Sequence, residues 1–167
     1  MKVLNSTLEI KESDILESII ELENTGKKIN YSNLSKENLA ISLAEWIDGI
    51  PMIYYPFGLQ SAAIRFKNSL QENAKMHAAS EDVIEACHNG IVAWEKKSNV
   101  LPIFIRGKED NIKTKERWEI LKEFFQEKNI EFREITTVEG NILSKLINLI
   151  YLLDYATIYK TILDHTD

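Results

Sequence analysis

Apolar residues recur along the chain in two rhythms, one typical of helices and one of strands. Five segments show the helical rhythm, and most of them begin after a capping residue or end near a glycine or lysine. In the first of these segments the apolar stripe consists of Ile15, Ile19 and Leu22. The predicted helices are Ser13 to Gly26, Ser35 to Gly49, Leu59 to Lys75, Lys113 to Lys128, and a long final helix from Ile142.

Three shorter runs have the length and composition of β-strands. Ile50 to Tyr55 and Val100 to Ile105 are largely apolar, which is typical of strands buried on both faces. Ile130 to Thr136 alternates between apolar and polar residues, as expected for a strand nearer an edge. Strands that alternate with helices predict an α/β domain in which helices cover both faces of a parallel sheet.

Ligands of such folds bind at the carboxyl ends of the strands. In this chain those ends are the segments Pro56 to Ser61, Arg106 to Asn111 and Thr136 to Asn141. Pro56 to Ser61 is also predicted to begin a helix whose free N–H groups face the ligand cleft.

Length and composition narrow the class of protein. With 167 residues, 44% of them hydrophobic and 28% charged, the chain fits one soluble globular domain. A net charge of -6 disfavours general nucleic-acid binding. A single cysteine and no visible signal peptide favour a reducing, cytoplasmic location. The final apolar run is interrupted by Lys145, Asn148 and Asp154, which argues against a membrane span.

The familiar cofactor and metal motifs are missing from the sequence. Its six glycines are never nearer than nine positions, so it has neither a dinucleotide fingerprint nor a P-loop. His77, Cys87 and His88 do not follow a standard zinc spacing. A nucleophilic Cys87 paired with the adjacent His88 is disfavoured, because neighbouring residues point in different directions. We therefore predict no cofactor and no metal.

Two polar segments are candidates for chemistry. Arg65, Asn68, Glu72 and Lys75 share one face of the Leu59–Lys75 helix. They form either a solvated face with local pairs or a carboxylate among cations and amides that faces a sugar or phosphate. His88 lies in the other segment, where it is either a structural histidine or an acid/base group that titrates near neutral pH.

The segments of this region resemble a known family when they are taken in order. Ile50–Tyr55, Ala62–Lys67, Gln71–Lys75 and Glu85–Trp94 are similar to the second, C-terminal sugar-isomerase (SIS) domain of the bifunctional phosphoglucose/phosphomannose isomerases. The resemblance covers about residues 15 to 165. It implies a flavodoxin-like three-layer sandwich and the aldose–ketose isomerisation of glucose 6-phosphate, fructose 6-phosphate and, in some members, mannose 6-phosphate.

The resemblance also implies roles for particular residues. Glu72 matches the family's base, which moves a proton between C2 and C1 through a cis-enediolate. His88 matches the acid/base that opens the sugar ring. A carboxylate and an imidazole from separate segments suit these two tasks chemically. The residues expected to contact substrate or to support Glu72 are Arg65, Lys67, Asn73, Lys75 and Asn89.

The sequence departs from the family pattern in several places. Gly90 stands where a glutamate is usual, and His77 stands where proline is frequent. The phosphate loop of the first sugar-isomerase domain and the lysine of the family's C-terminal tail have no counterpart. We therefore expect residues 1–167 to be a single C-terminal sugar-isomerase domain, excised from a two-domain chain and inactive by itself.

The family pattern also implies a homodimer in which each site takes residues from both chains. Trp46, Trp94 and the apolar last helix exceed what one small core needs, which independently favours an interface. The alternative function is a non-catalytic sugar-phosphate-binding or dimerisation module, because a fold does not fix a function.

Overall fold

A four-stranded parallel sheet forms the centre of the molecule in the computed structural model, which describes residues 10–166. The order across the sheet is β2-β1-β3-β4. The crossovers that leave β1 and β2 therefore pass over opposite faces, because such connections are right-handed. The strands are β1 (Ile50–Tyr55), β2 (Ala79–Asp82), β3 (Val100–Arg106) and β4 (Arg133–Thr136).

Helices cover both faces of the sheet, as the sequence predicts. Each face of the sheet has its own hydrophobic core. One core contains residues of α1, α2, α3 and α6, and the other contains residues of α4, a 3-10 helix and α5. This arrangement confirms the predicted α/β sandwich. The helices are α1 (Glu12–Ile29), α2 (Leu39–Trp46), α3 (Gln60–Glu72), α4 (Val83–Ala86), the 3-10 helix (Gly90–Glu95), α5 (Ile112–Glu127) and α6 (Ile142–Leu163).

The alternation of side chains along the central strands separates the two cores. Ile53 and Ile103 point towards α3 and α6, whereas Tyr54 and Phe104 point towards α5. Phe104 contacts the ring of Trp118, with ring centroids 5.2 Å apart. Both sides of these strands are buried, which explains why their sequences are apolar without alternation.

Several predicted boundaries are wrong, and one strand was missed. β2 consists of Ala79–Asp82, an edge segment with almost no apolar pattern to reveal it. α1 continues through Gly26 to Ile29, and Gly26 packs against the ring of Tyr151 within the helix. α2 begins at Leu39 rather than at Ser35, since Asn38 accepts hydrogen bonds from the first free N–H groups.

The contact between α1 and α6 is polar, contrary to the predicted apolar stripe of the first helix. Ile19 of that stripe is 47% exposed, whereas Ser18 is buried. The hydroxyl groups of Ser18 and Ser144 are 3.1 Å apart. Asn148 donates a hydrogen bond of 2.6 Å to the hydroxyl oxygen of Thr25. The buried positions of α1 are therefore Ser18, Thr25 and Ile29, which combine polar contacts with apolar packing.

Glu17 of α1 closes the N-terminus of α6. Its carboxylate accepts hydrogen bonds from the backbone N–H of Asn141 at 2.8 Å and from the Ser144 hydroxyl at 2.9 Å. These bonds hold the pKa of Glu17 below its usual range. A carboxylate at this position also interacts favourably with the helix dipole.

We expect Glu17→Gln to lower the free energy of unfolding at neutral pH. Because the folded-state pKa is lowered, the contribution of ionised Glu17 is present above the unfolded pKa and is lost as the pH falls through the folded pKa. The difference between wild type and variant should therefore shrink in acid. Urea unfolding at several pH values measures it, with Glu23→Gln on the exposed side of the same helix as control. A difference that does not change with pH would contradict this account.

α6 is long and apolar enough to cross a membrane by length and composition. In the structure it packs against α1, α2 and α3, and Leu149, Leu153 and Ala156 are buried in the core. The core of a globular domain therefore accounts for its apolar sequence.

Trp46 and Trp94 do not mark an exposed interface, contrary to the expectation from sequence. Trp94 is only 8% exposed, and its indole N–H donates to the hydroxyl oxygen of Tyr54 at 2.9 Å. Trp46 is partly buried beneath the guanidinium of Arg133, which lies 4.9 Å from the ring centroid. Both rings belong to the chain's own packing.

Candidate functional site

A shallow, open depression, called the α3 groove below, lies along the outer side of α3 and is lined by residues of that helix alone. Its volume is about 560 Å³, and Arg65, Asn68 and Glu72 lie on it with Gln60 and Ile64. The buried stripe of α3, which includes Phe66 and Leu70, faces the opposite way and fixes the rotation of the helix. The polar face noted in the sequence is therefore exposed to solvent along this depression, with Glu72 at its end.

Arg65 is held at one side of this groove by α6. Its Nε and Nη2 donate to the two carboxylate oxygens of Asp154, at 3.1 and 2.7 Å. These hydrogen bonds, the charge of Asp154 and the charge of Glu72 raise the pKa of Arg65. The guanidinium is thus oriented by Asp154, which the sequence analysis did not select, and lies within the electrostatic reach of Glu72.

The turn after α3 shapes the surroundings of Glu72. Asn73 caps the helix, and its backbone N–H donates to the carbonyl oxygen of Ser69 at 2.8 Å. Lys75 adopts a positive φ of 54° and donates from Nζ to the carbonyl oxygen of Glu72 at 2.8 Å. Lys75 therefore binds the backbone rather than the carboxylate of Glu72. Lys67 is half-buried on α3.

His88 lies in the turn between α4 and the 3-10 helix. Its backbone N–H donates to the carbonyl oxygen of Glu85 at 3.0 Å, and its side chain is exposed. Asn89 donates from Nδ2 to the Glu85 carboxylate at 3.1 Å. The turn is thus anchored by Glu85 and presents the imidazole to solvent.

Cys87 does not have the surroundings of a nucleophile. The residue is half-buried, and desolvation raises the pKa of its thiol. Within residues 10–166, no group of three or more histidine, cysteine or carboxylate side chains is placed to hold a metal ion.

A single copy of the chain keeps the two predicted catalytic residues apart. Glu72 belongs to α3, on the α6 side of the sheet, whereas His88 follows α4 on the α5 side. Glu72 also ends a helix that runs back towards the amino ends of the strands, while His88 follows the carboxyl end of β2. The described chain therefore places the two residues on opposite faces of the sheet and towards opposite ends of its strands.

The carboxyl edge of the sheet contains the three loops that the sequence predicts there. β1, β3 and β4 end at Tyr55, Arg106 and Thr136. A cavity of about 380 Å³ lies at the start of α3, lined by Gln60 and Ser61 but also by Asp82. The Asp82 carboxylate makes this helix N-terminus a poorer anion site than the sequence suggests.

The other two loops contact each other and carry paired charges. Lys108 donates its backbone N–H to the hydroxyl oxygen of Thr137 at 3.0 Å. Its ammonium group pairs with Glu139 at 2.7 Å. Lys145, at the start of α6, pairs with Glu109. Lys108 and Lys145 at this edge therefore form ion pairs with carboxylates of the same chain.

A comparison with protein families matches residues 36–167 to the bacterial phospho-glucose isomerase C-terminal SIS domain. A bifunctional phosphoglucose/phosphomannose isomerase from Caldicellulosiruptor bescii is 26% identical over 167 residues. That alignment covers 96% of this chain and 49% of the relative, so the chain spans about half the relative's length.

Solved structures share the fold. A glucose-6-phosphate isomerase-like protein from Thermus thermophilus has a TM-score of 0.74 at 16% identity, covering 91% of this chain and 52% of that one. The sugar isomerase domain of an RpiR transcription factor from Sphaerobacter thermophilus has a TM-score of 0.62 at 9% identity, covering 92% and 90%. At these identities the likeness shows the fold alone, which enzymes and a transcription factor share.

Proposed function

Because the chain belongs to the bacterial phospho-glucose isomerase C-terminal SIS domain family, we propose that it supplies the proton-transfer groups of a phosphosugar aldose–ketose isomerase. The substrates proposed are glucose 6-phosphate and fructose 6-phosphate, with mannose 6-phosphate as a further one. The observation that carries the proposal is Glu72, which lies on an open groove of α3 beside an oriented guanidinium. The proposed location is the cytoplasm.

In the proposed reaction Glu72 takes the proton from C2 of the open-chain aldose. The resulting cis-enediolate regains that proton at C1, while a proton passes from O2 to O1, and the ketose forms. A carboxylate can do both steps, because it is a base when ionised and an acid once it carries the proton. Arg65, which pairs with Asp154, is proposed to stabilise negative charge that develops near Glu72.

His88 is proposed to open the sugar ring before isomerisation. Its exposed imidazole can give a proton to the ring oxygen and take one from the O1 hydroxyl. Asn89, Asn73, Lys67 and Lys75 are proposed as substrate contacts near the two catalytic residues. Lys75 would first have to leave the carbonyl oxygen of Glu72.

The separation of Glu72 and His88 supports a homodimer in this proposal. Their elements lie on opposite faces of one sheet, so a complete site would combine Glu72 of one copy with His88 of another. Closed two-fold pairs of this kind build the same combined site twice. The covered surface would include the groove of α3.

The proposal is tested on the complete natural protein that carries this sequence. Glucose 6-phosphate is offered, and formation of fructose 6-phosphate is followed by a coupled assay. Transfer of solvent deuterium into C1 or C2 reports the proton-transfer step itself. Sugar-phosphate binding without turnover or exchange would instead support a non-catalytic binding module.

We expect residues 1–167, purified alone, to be folded but without measurable isomerase activity. The groove beside Glu72 offers Arg65, which Asp154 already pairs, and so it lacks a strong phosphate grip of its own. Binding of the remote phosphate orients the reacting carbons, and misplacement by an ångström costs about 100-fold in rate. Circular dichroism checks folding, and the coupled assay checks activity. Robust turnover by these residues alone would contradict the prediction.

A further inference from the structure

Another cavity lies on the α5 side of the sheet, away from the α3 groove. Its volume is about 410 Å³, and Met52, Trp94, Val100 and Ala93 form most of its apolar wall. The 3-10 helix closes one side of it, directly after the turn that carries His88. Neither Glu72 nor His88 lines this cavity. It is therefore a separate feature from the proposed catalytic groups.

One carboxylate stands in this apolar wall. Glu81 of β2 pairs with Tyr54 in the strand register, so both side chains point to the cavity side of the sheet. Its Oε2 atom is buried and has no hydrogen-bond partner. Gly90 packs against that atom, and a Cβ at position 90 would lie only 2.4 Å from it. The absence of a side chain at Gly90 makes room for the carboxylate.

The surroundings of Glu81 increase its need for a cationic partner. Desolvation and the nearby carboxylates of Glu85 and Asp82 all raise the pKa of Glu81. Among the ion pairs formed within residues 10–166, none includes Glu81. Because one oxygen of this partly buried carboxylate has no partner, a donor that enters the cavity can form a hydrogen bond that the chain itself does not supply.

We propose that this cavity binds a small organic ammonium ion with an apolar body. The ammonium group would donate to the Glu81 carboxylate, whose terminal torsion is soft enough to present either oxygen. An apolar cavity with one well-placed polar group is the usual form of a small-molecule site. A bare metal ion fits less well, since no three ligating side chains of the described chain converge.

Trp94 gives the cavity an aromatic wall that suits an organic ammonium ion with an apolar body. Trp94 is fixed in place, because its N–H donates to Tyr54 at 2.9 Å and its ring meets Phe125 edge to face at 5.0 Å. A rigid indole beside a carboxylate adds apolar surface against which the body of an organic cation can pack. The hydroxyl of Ser98 adds a second polar group at the rim.

Benzylamine is the probe, and its neutral analogue benzyl alcohol is the comparison. Binding to the ¹⁵N-labelled 167-residue chain is followed by NMR at the indole N–H of Trp94 and the amide of Gly90. We expect saturable shifts with benzylamine and on the order of tenfold or more weaker binding of benzyl alcohol. Glu81→Gln should weaken benzylamine binding to the same extent, whereas Glu123→Gln, which removes an equal charge at an exposed position on α5, should not.

Ala93→Phe provides a second, independent test that keeps every charge. The larger side chain fills the cavity from the 3-10 helix, and we expect it to abolish the benzylamine shifts. The Ala93→Phe variant also tests the proposed site if Glu81→Gln fails to fold. Equal binding of amine and alcohol, equal losses in Glu81→Gln and Glu123→Gln, or unchanged binding in Ala93→Phe would each overturn the proposal.

Discussion

Glu72→Gln is expected to remove isomerase activity from the complete natural protein while leaving it folded. The amide keeps the size of the side chain but cannot take a proton from C2. General-base catalysis by a positioned group contributes about 100- to 10,000-fold, so kcat should fall by that factor. KM should change little, because the side chain is exposed at the end of α3 and is proposed to act on the proton rather than to hold the sugar.

A matched control separates this effect from general damage. Glu123→Gln makes the same substitution at an exposed position on α5, away from the α3 groove. Its rate and its deuterium exchange should equal those of wild type. Unchanged turnover in Glu72→Gln would remove Glu72 from the mechanism and favour a sugar-phosphate-binding module. Equal losses in both variants would show that the assay reports stability rather than proton transfer.

The fold could be predicted from sequence because its central strands are strongly patterned. Ile50–Tyr55 and Val100–Arg106 are buried on both faces, so their apolar runs stand out from the helices around them. β2 could not be found in this way. Ala79–Asp82 lies at an edge, where polar residues are tolerated, and its pairing with β1 is long-range information that local pattern does not carry.

The site was only partly predictable, and for a similar reason. Helical spacing placed Arg65 and Glu72 on one face of α3, where both line the groove. The partner of Arg65 is Asp154, 89 residues away, and no local signal joins the two. The burial of the Glu81 Oε2 atom against Gly90 likewise has no local signal in the sequence. Gly90 is a hint at this packing, because a glycine where the family usually has a larger residue leaves space that another side chain can occupy.

Mixing two inactive variants is expected to restore activity if each site takes Glu72 and His88 from different copies. Glu72→Gln and His88→Asn of the complete natural protein should each be inactive or strongly impaired alone. A heterodimer would contain one site with both substitutions and one site with neither. After equal, random mixing, half of the dimers are mixed, so activity should recover to about one quarter of the wild-type value.

The placement of the two residues makes this result specific. α3 and the turn after α4 lie on opposite faces of one sheet, so recovery of activity on mixing is expected of a site shared between copies and not of one formed within a copy. Subunits are exchanged by mild denaturation and refolding, and heterodimers are verified by mass spectrometry of differently tagged chains. Mixing each variant with itself is the control. Verified heterodimers without activity would overturn the shared site, and sedimentation showing only monomers would overturn the homodimer.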